Sequence, residues 1–136
     1  MRFHTTAHVR WDDLDGFRHI NNAKYLVYVQ EARADFTWFS RIAKGLQPYF
    51  YDMVVARAEV DFIEPIYEGG FDIDVDIWVA RIGTSSFNLS YELSSKNGVH
   101  ARATTVQVAV DMESKKSRPL NDDERMFLGE YFEEEK

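Results

Sequence analysis

The chain has 136 residues, 45% of them hydrophobic and 15% aromatic, which is enough for one substantial core, so we predict a single domain spanning residues 1–136. A formal charge of −7 without a basic stripe argues against a nucleic-acid partner, and the absence of cysteine excludes disulfides, thiolate metal sites and cysteine nucleophiles. Because no stretch resembles a signal peptide or approaches the roughly 20 apolar residues of a membrane span, we expect a cytoplasmic protein without a membrane partner.

A strand and a group of acids open the chain. Residues 3–11 alternate between a mostly apolar side and a polar side, which predicts a half-buried strand. Its apolar side comprises Phe3, Thr5, Ala7, Val9 and Trp11. Three carboxylates, Asp12, Asp13 and Asp15, follow the strand directly.

A long apolar helix follows the acids and runs to about Ala43. Apolar residues recur at steps of four and three and therefore share one helical face. These residues are Tyr25, Val29, Ala32, Phe36 and Phe39. Residues 26–28 widen this stripe, so we predict a helix buried over most of its circumference. The side-chain oxygen of Asn21 or Asn22 can cap the first turn, and Gly45 provides a stop.

Four more strands and a short helix are predicted after the long helix. The strands span residues 54–63, 71–82, 87–94 and 99–112, and the strand at 71–82 has one wet, aspartate-rich face at its start. Asn97 and Gly98 predict a tight primed turn before the last strand. The apolar residues of that strand change from one face to the other midway along it, which a bulge or cover on both faces could explain. Asn121 and Glu124 have capping-box spacing. This order predicts an α+β sandwich of one sheet against one helix.

The acids lie directly before a helix N-terminus, where unpaired N–H groups carry partial positive charge. Such a place can polarise a carbonyl oxygen while a carboxylate attacks the carbon or removes a proton from water. One of these carboxylates could play that part, and the backbone N–H of Asn22 or Ala23 could be the donor to the oxygen. The alternative is that all three acids are ordinary turn residues, each worth at most about 1 kcal/mol through the helix dipole.

The same stretch resembles the signature of the 4-hydroxybenzoyl-CoA thioesterase family of hotdog-fold proteins. The matching residues are Asp13, Asp15, His19, Asn21, Asn22, Tyr25, Leu26, Glu31, Ala32 and Arg33. The resemblance implies a hotdog fold, in which an antiparallel sheet wraps around a long central helix. It also implies hydrolysis of an acyl-CoA thioester without a bound cofactor, in a homodimer or homotetramer with active sites between subunits.

The resemblance implies roles for particular residues. Asp15 would be the nucleophile or general base, and His19, Asn22 and Tyr25 would lie beside the substrate. Arg18 stands where the family usually has glycine.

Other parts of the chain supply candidates for binding coenzyme A. Arg57 is the candidate for its phosphates, with Arg81 and Arg102 as further cations. Ser85 and Ser86 belong to a turn that resembles the family's G-x-S-S turn and could meet pantetheine with its amides.

Two alternative functions and a metal site are weighed against this interpretation. A hotdog protein could bind acyl-CoA or an acyl carrier without catalysis, or could use Asp15 and His19 to add water to an enoyl thioester. Glu31 is an alternative acid, because some hotdog thioesterases use a glutamate on the central helix. A metal site is not expected, because His4 and His8 on one strand face lie about 13 Å apart.

Overall fold

The computed structural model of the chain describes residues 1–50 and 52–134, so Tyr51 lies outside the described residues. Five strands form one antiparallel sheet in the order β1-β3-β4-β5-β2. They are β1 (Phe3–Val9), β2 (Met53–Phe62), β3 (Phe71–Ile82), β4 (Ser86–Ser95) and β5 (Gly98–Ala109). A helical rod follows β1 as α1 (Lys24–Ala34), a π-helical turn (Asp35–Phe39) and α2 (Ser40–Ala43), and α3 (Asp122–Glu130) comes last. The predicted α+β sandwich is confirmed.

Alternation along the central strands builds the core face of the sheet. The buried residues of β3 and β4 on this face are Ile73, Val75, Ile77, Val79, Phe87, Leu89, Tyr91 and Leu93. The exposed Asp72 and Asp74 give β3 the wet face expected at its start. In β5 one face stays in the core throughout, because Thr105 and Gln107 occupy core-facing positions and are buried like the alanines on either side. The valines of β5 lie half-buried on the opposite face, so cover on both faces accounts for the pattern.

Two local predictions at strand ends are wrong: the primed turn at Asn97 and Gly98, and the place of Trp11 in the first strand. Ser95 pairs with Gly98, so residues 96 and 97 form the β4–β5 loop, and Gly98 alone among residues 96–98 has a positive φ, 110°. A primed turn needs positive φ at loop positions, whereas here the glycine follows the loop. Trp11 is 76% exposed because β1 has already ended, and the residue begins a 3₁₀ turn, Trp11–Asp13.

The helical rod is less buried than the sequence pattern predicted. Its core stripe is Tyr25, Tyr28, Val29, Ala32 and Phe36. Leu26 and Val27 are 43% and 45% exposed, and Phe39 is 62% exposed. The π-helical turn removes Phe39 from the stripe, because its wider turn rotates the residues after Phe36 out of phase. The rod packs mainly on β1 and β3, so edge strand β2 stays largely exposed.

The predicted capping box of α3 is confirmed and belongs to an ion cluster. Asn121 Oδ1 accepts a hydrogen bond from Glu124 N at 2.8 Å, and Glu124 Oε1 accepts one from Asn121 N at 2.9 Å. Arg118 donates to both carboxylate oxygens of Glu124 and to both of Asp52. The cluster ties α3 to the segment before β2. None of the helices described is long and apolar enough to span a membrane.

Candidate active site

A short hairpin carries Asp15 to the start of the helical rod. Leu14 and Ile20 form an antiparallel bridge, and Asp15 N donates to His19 O at 3.0 Å. The buried Ile20 donates its N–H to Ile66 O at 2.8 Å, which anchors the hairpin to the loop after β2. Asp15 and His19 therefore face each other across the hairpin, just before the helix begins.

The Asp15 carboxylate is partly accessible and partly engaged. Its side chain is 25% exposed, and Oδ1 accepts a hydrogen bond from Phe17 N at 2.8 Å, as aspartates do in Asx turns. The same Oδ1 lies 4.0 Å from His19 Nδ1, which is 3.2 Å from the carbonyl oxygen of Ile20. Because a carbonyl oxygen can only accept, Nδ1 carries the proton in that contact. The carboxylate thus has a donor imidazole nitrogen beside it.

Arg18 occupies the left-handed backbone conformation, with φ 64°. Glycine adopts this conformation without steric cost, whereas a residue with a Cβ pays about 1 kcal/mol or more. This is the position at which the resembled family usually has glycine. The departure in this sequence therefore appears as local strain in the turn that presents Asp15.

The structure distinguishes the candidate donors and caps at the helix start. Asn21 caps the turn that leads into α1, because its Oδ1 accepts from Ala23 N at 2.9 Å and its carbonyl oxygen accepts from Lys24 N at 2.9 Å. The Ala23 N–H is therefore already used. Among the described residues no acceptor is seen for the N–H of Asn22, so this group is the available donor at the start of the helix.

Asp13 is buried and holds α1 against the turn before the hairpin. Its side chain accepts hydrogen bonds at Oδ2 from the Tyr28 hydroxyl at 2.7 Å and from Arg10 N at 3.0 Å. Lys24 Nζ lies 3.8 Å from Oδ1. Burial and then the bond to Asp13 raise the pKa of Tyr28 well above its ordinary value. Sequence reasoning missed Tyr28, although its place in the apolar stripe beside the acids was the available signal.

Tyr25 lies in the core beside the hairpin. It is 3% exposed, and its ring meets Phe62 edge to face with ring centroids 5.0 Å apart. Burial raises the pKa of its hydroxyl, and a hydrogen bond with the backbone of Ile66 opposes this. Glu31, the alternative acid, is exposed on α1.

The predicted coenzyme A contacts do not meet Asp15 within one chain. Arg57 lies in the middle of edge strand β2 and pairs with Glu59. Ser85 lies between β3 and β4, and Ser86 is the first residue of β4, so both are at the end of the sheet away from the hairpin. Because Phe71 pairs with Val9 near the hairpin and β3 has 12 residues, the two ends are roughly 35 Å apart.

The other predicted cations and histidines lie on the sheet surface. Arg81 donates to Ser86 Oγ at 3.2 Å, and Arg102 pairs with Glu92. His4 and His8 on β1 each contact aspartates of β3. In the part of the chain that the structure describes, no group of three or more histidine, aspartate or glutamate side chains is placed to hold a metal ion.

Comparison with known proteins shows the family of the chain. Residues 9–128 match the Thioesterase-like superfamily. A 1,4-dihydroxy-2-naphthoyl-CoA hydrolase of Nostoc punctiforme is 28% identical over 127 residues, which cover 90% of this chain and 84% of that protein.

Solved structures of thioesterases are similar to this chain in fold. A predicted thioesterase of Bacillus stearothermophilus has a TM-score of 0.85 and 27% identity over 100% of both chains. A Thermus thermophilus thioesterase complexed with coenzyme A and Zn has a TM-score of 0.75 and 27% identity, over 94% of this chain and 92% of that one. The hotdog fold and the thioester hydrolase class predicted from the sequence are confirmed at the level of the family. The chain belongs to the thioesterase-like superfamily of hotdog-fold proteins.

Proposed function

We propose that this protein hydrolyses an acyl-CoA thioester to a free acid and coenzyme A, with Asp15 as the reacting carboxylate. The observation that carries the proposal is the position of Asp15, partly exposed on a hairpin that leads directly into the helix N-terminus. The N–H of Asn22 supports it, because this donor is not used by the cap that engages Ala23.

The proposed reaction uses two groups of the chain. The Asp15 carboxylate attacks the thioester carbon, or removes a proton from a water that attacks it. Negative charge develops on the carbonyl oxygen, where the Asn22 N–H and the positive end of the helix stabilise it. The thiolate of coenzyme A then leaves. If Asp15 is the nucleophile, the acyl group remains on it as an anhydride, which water hydrolyses to the free acid and the original carboxylate. His19, with its protonated Nδ1 beside Asp15, orients the carboxylate or the substrate oxygen.

We further propose that the enzyme is a homodimer or homotetramer. Edge strand β2 exposes Val54, Val55 and Phe62 at 45–50%, and α1 exposes Leu26 and Val27 at similar fractions. Pairing of β2 with a second copy would continue the sheet and cover these side chains.

The oligomer also bears on coenzyme A binding. Ser85 and Ser86 are too distant from Asp15 to share its substrate within one chain, so a second copy would have to present them. A solution mass of 15.9 kDa, the mass of one chain, in an active preparation would contradict this part of the proposal.

A thiol-release assay tests the activity. Short, long and aromatic acyl-CoAs form the panel, and 1,4-dihydroxy-2-naphthoyl-CoA is included because of the similarity to the Nostoc punctiforme hydrolase. We expect free thiol and free acid in equal amounts with at least one substrate. Saturable binding without thiol release would favour a binding module. Loss of enoyl absorbance without thiol release would favour a hydratase.

A further inference from the structure

A serine and a histidine form a hydrogen-bonded pair beside the loop after β2. Ser95 ends β4, and His100 lies near the start of β5, across the connecting turn. The distance from Ser95 Oγ to His100 Nε2 is 2.7 Å, and His100 Nδ1 lies 2.9 Å from the carbonyl oxygen of Glu64. His100 is only 2% exposed.

The Glu64 carbonyl fixes the tautomer of His100. A carbonyl oxygen can only accept, so Nδ1 carries the ring proton and Nε2 presents its lone pair to Ser95. The Ser95 hydroxyl therefore donates to Nε2. Asn97 N donates to Ser95 Oγ at 3.2 Å, which holds the oxygen from the other side. This is the orientation in which an imidazole accepts the proton of a nucleophilic serine.

The pair lines a cavity that can hold a small molecule. The cavity has a volume of about 570 Å³ and lies between the loop after β2, the start of β3 and the β4–β5 turn. Its volume falls in the range of small-molecule sites, about 300–1,000 Å³. Ile66, Tyr67 and Phe71 supply apolar and aromatic wall. Ser95 is the more accessible member of the pair, so the hydroxyl can meet a ligand while the histidine stays enclosed.

The charge of the cavity selects the class of substrate. Four carboxylates line it, Glu64, Glu68, Asp72 and Asp74, against one ammonium, Lys96. This excess of negative charge repels the phosphates of coenzyme A. An uncharged or cationic ester meets no such repulsion, and the Lys96 ammonium can offset charge on its carbonyl oxygen.

We propose that Ser95 and His100 form a second reactive site, in which Ser95 is the nucleophile and His100 its general base toward small uncharged or cationic carboxylic esters. The bond from Ser95 Oγ to the ester carbon forms as the hydroxyl proton passes to His100 Nε2. The ester C–O bond breaks, and the leaving alkoxide takes that proton to depart as the alcohol. Water then attacks the acyl-serine, gives a proton to Nε2, and the acid leaves as this proton returns to Ser95 Oγ.

The full-length protein is treated with a fluorophosphonate probe and with 4-nitrophenyl acetate, and adducts are mapped by peptide mass spectrometry. We expect one adduct on Ser95, its loss in Ser95→Ala, and labelling at least tenfold slower in His100→Gln. Ser94→Ala is the matched control, since Ser94 is the preceding residue of β4 and does not line the cavity, and it should label like the wild type.

Two results would overturn the proposal. One is the absence of an adduct on wild-type Ser95, which needs no variant and so decides the question even where His100→Gln does not fold. The other is a folded His100→Gln protein that labels as fast as the wild type. Ser95→Ala should leave release of thiol from acyl-CoA unchanged, so this proposal and the proposed thioesterase activity can fail separately.

Discussion

Removal of the Tyr28 hydroxyl tests whether Asp13 anchors the helix to the catalytic hairpin. Tyr28→Phe leaves the buried Asp13 carboxylate with the Arg10 N–H at 3.0 Å and the Lys24 ammonium at 3.8 Å. A hydrogen bond to a charged group contributes about 1.5–3 kcal/mol, so we expect a loss of about 2 kcal/mol in the free energy of unfolding. At about 2.1 cal/mol/K of unfolding entropy per residue, this corresponds to a fall of about 7 °C in Tm for a chain of 136 residues.

Urea unfolding and calorimetry at a fixed protein concentration measure this change. Tyr67→Phe is the matched control, because Tyr67 is 61% exposed and should change stability by less than about 0.5 kcal/mol. A double-mutant cycle with Asp13→Asn isolates the pairwise contribution. A loss below about 0.5 kcal/mol for Tyr28→Phe, or no coupling in the cycle, would refute the anchoring role.

Three other substitutions probe the hairpin, its support and a surface turn. Arg18→Gly relieves the strain at φ 64° and should raise the free energy of unfolding by up to about 1 kcal/mol in urea, whereas a decrease would contradict the strain. Gly69→Ala places a Cβ 2.5 Å from the Arg10 carbonyl oxygen and should cost about 2 kcal/mol or more, so an unchanged urea midpoint would contradict this close approach. Hydrogen bonds from the backbone N–H groups of Ser114 and Glu113 lower the pKa of Asp111 below its ordinary value of 3.8. The ionised carboxylate therefore stabilises the folded state above pH 3.8, and this contribution is lost as the pH falls through the lowered pKa. Asp111→Asn should flatten the acid limb of the stability curve, and an unchanged limb would exclude this contribution.

The sheet was predictable from the sequence because burial on one face imposes a period of two. The strand at 71–82 coincides with β3, and the apolar residues of β4 all face the core. The phase of β5 was not predictable from hydrophobicity, because Thr105 bonds Tyr91 and Gln107 and so places polar groups at core positions. The valines Val106 and Val108 lie on the opposite face of β5, and their hydrophobicity made that face look like the core face.

The exposure of the helical rod could not be predicted from its periodicity. A π-helical turn adds a residue to one turn, and nothing in the apolar spacing around Phe39 indicated it. The exposed Leu26 and Val27 fit the predicted core only if a second copy covers them.

The candidate site was predictable in part. Asp15 and His19 are close in sequence, so their shared position just before the helix was predictable, whereas the hairpin that joins them was not predicted. The choice of Asn22 over Ala23 as donor depends on which asparagine caps the helix, a detail of side-chain geometry. Arg57, Ser85 and Ser86 were candidates by resemblance, and their roles stay predictions because one chain does not bring them to Asp15. The cytoplasmic location also stays a prediction.

Single-turnover thiol release by Asp15→Asn tests the central claim most directly. The substitution keeps an oxygen that can accept from Phe17 N, so the turn should persist while the nucleophile or base is lost. Asp12→Asn is the matched control, since Asp12 is an exposed acid of the preceding 3₁₀ turn. With a substrate that the wild type hydrolyses, we expect the rate to fall by at least about a hundredfold in Asp15→Asn and to stay near wild type in Asp12→Asn. A folded Asp15→Asn protein with wild-type turnover would contradict the account.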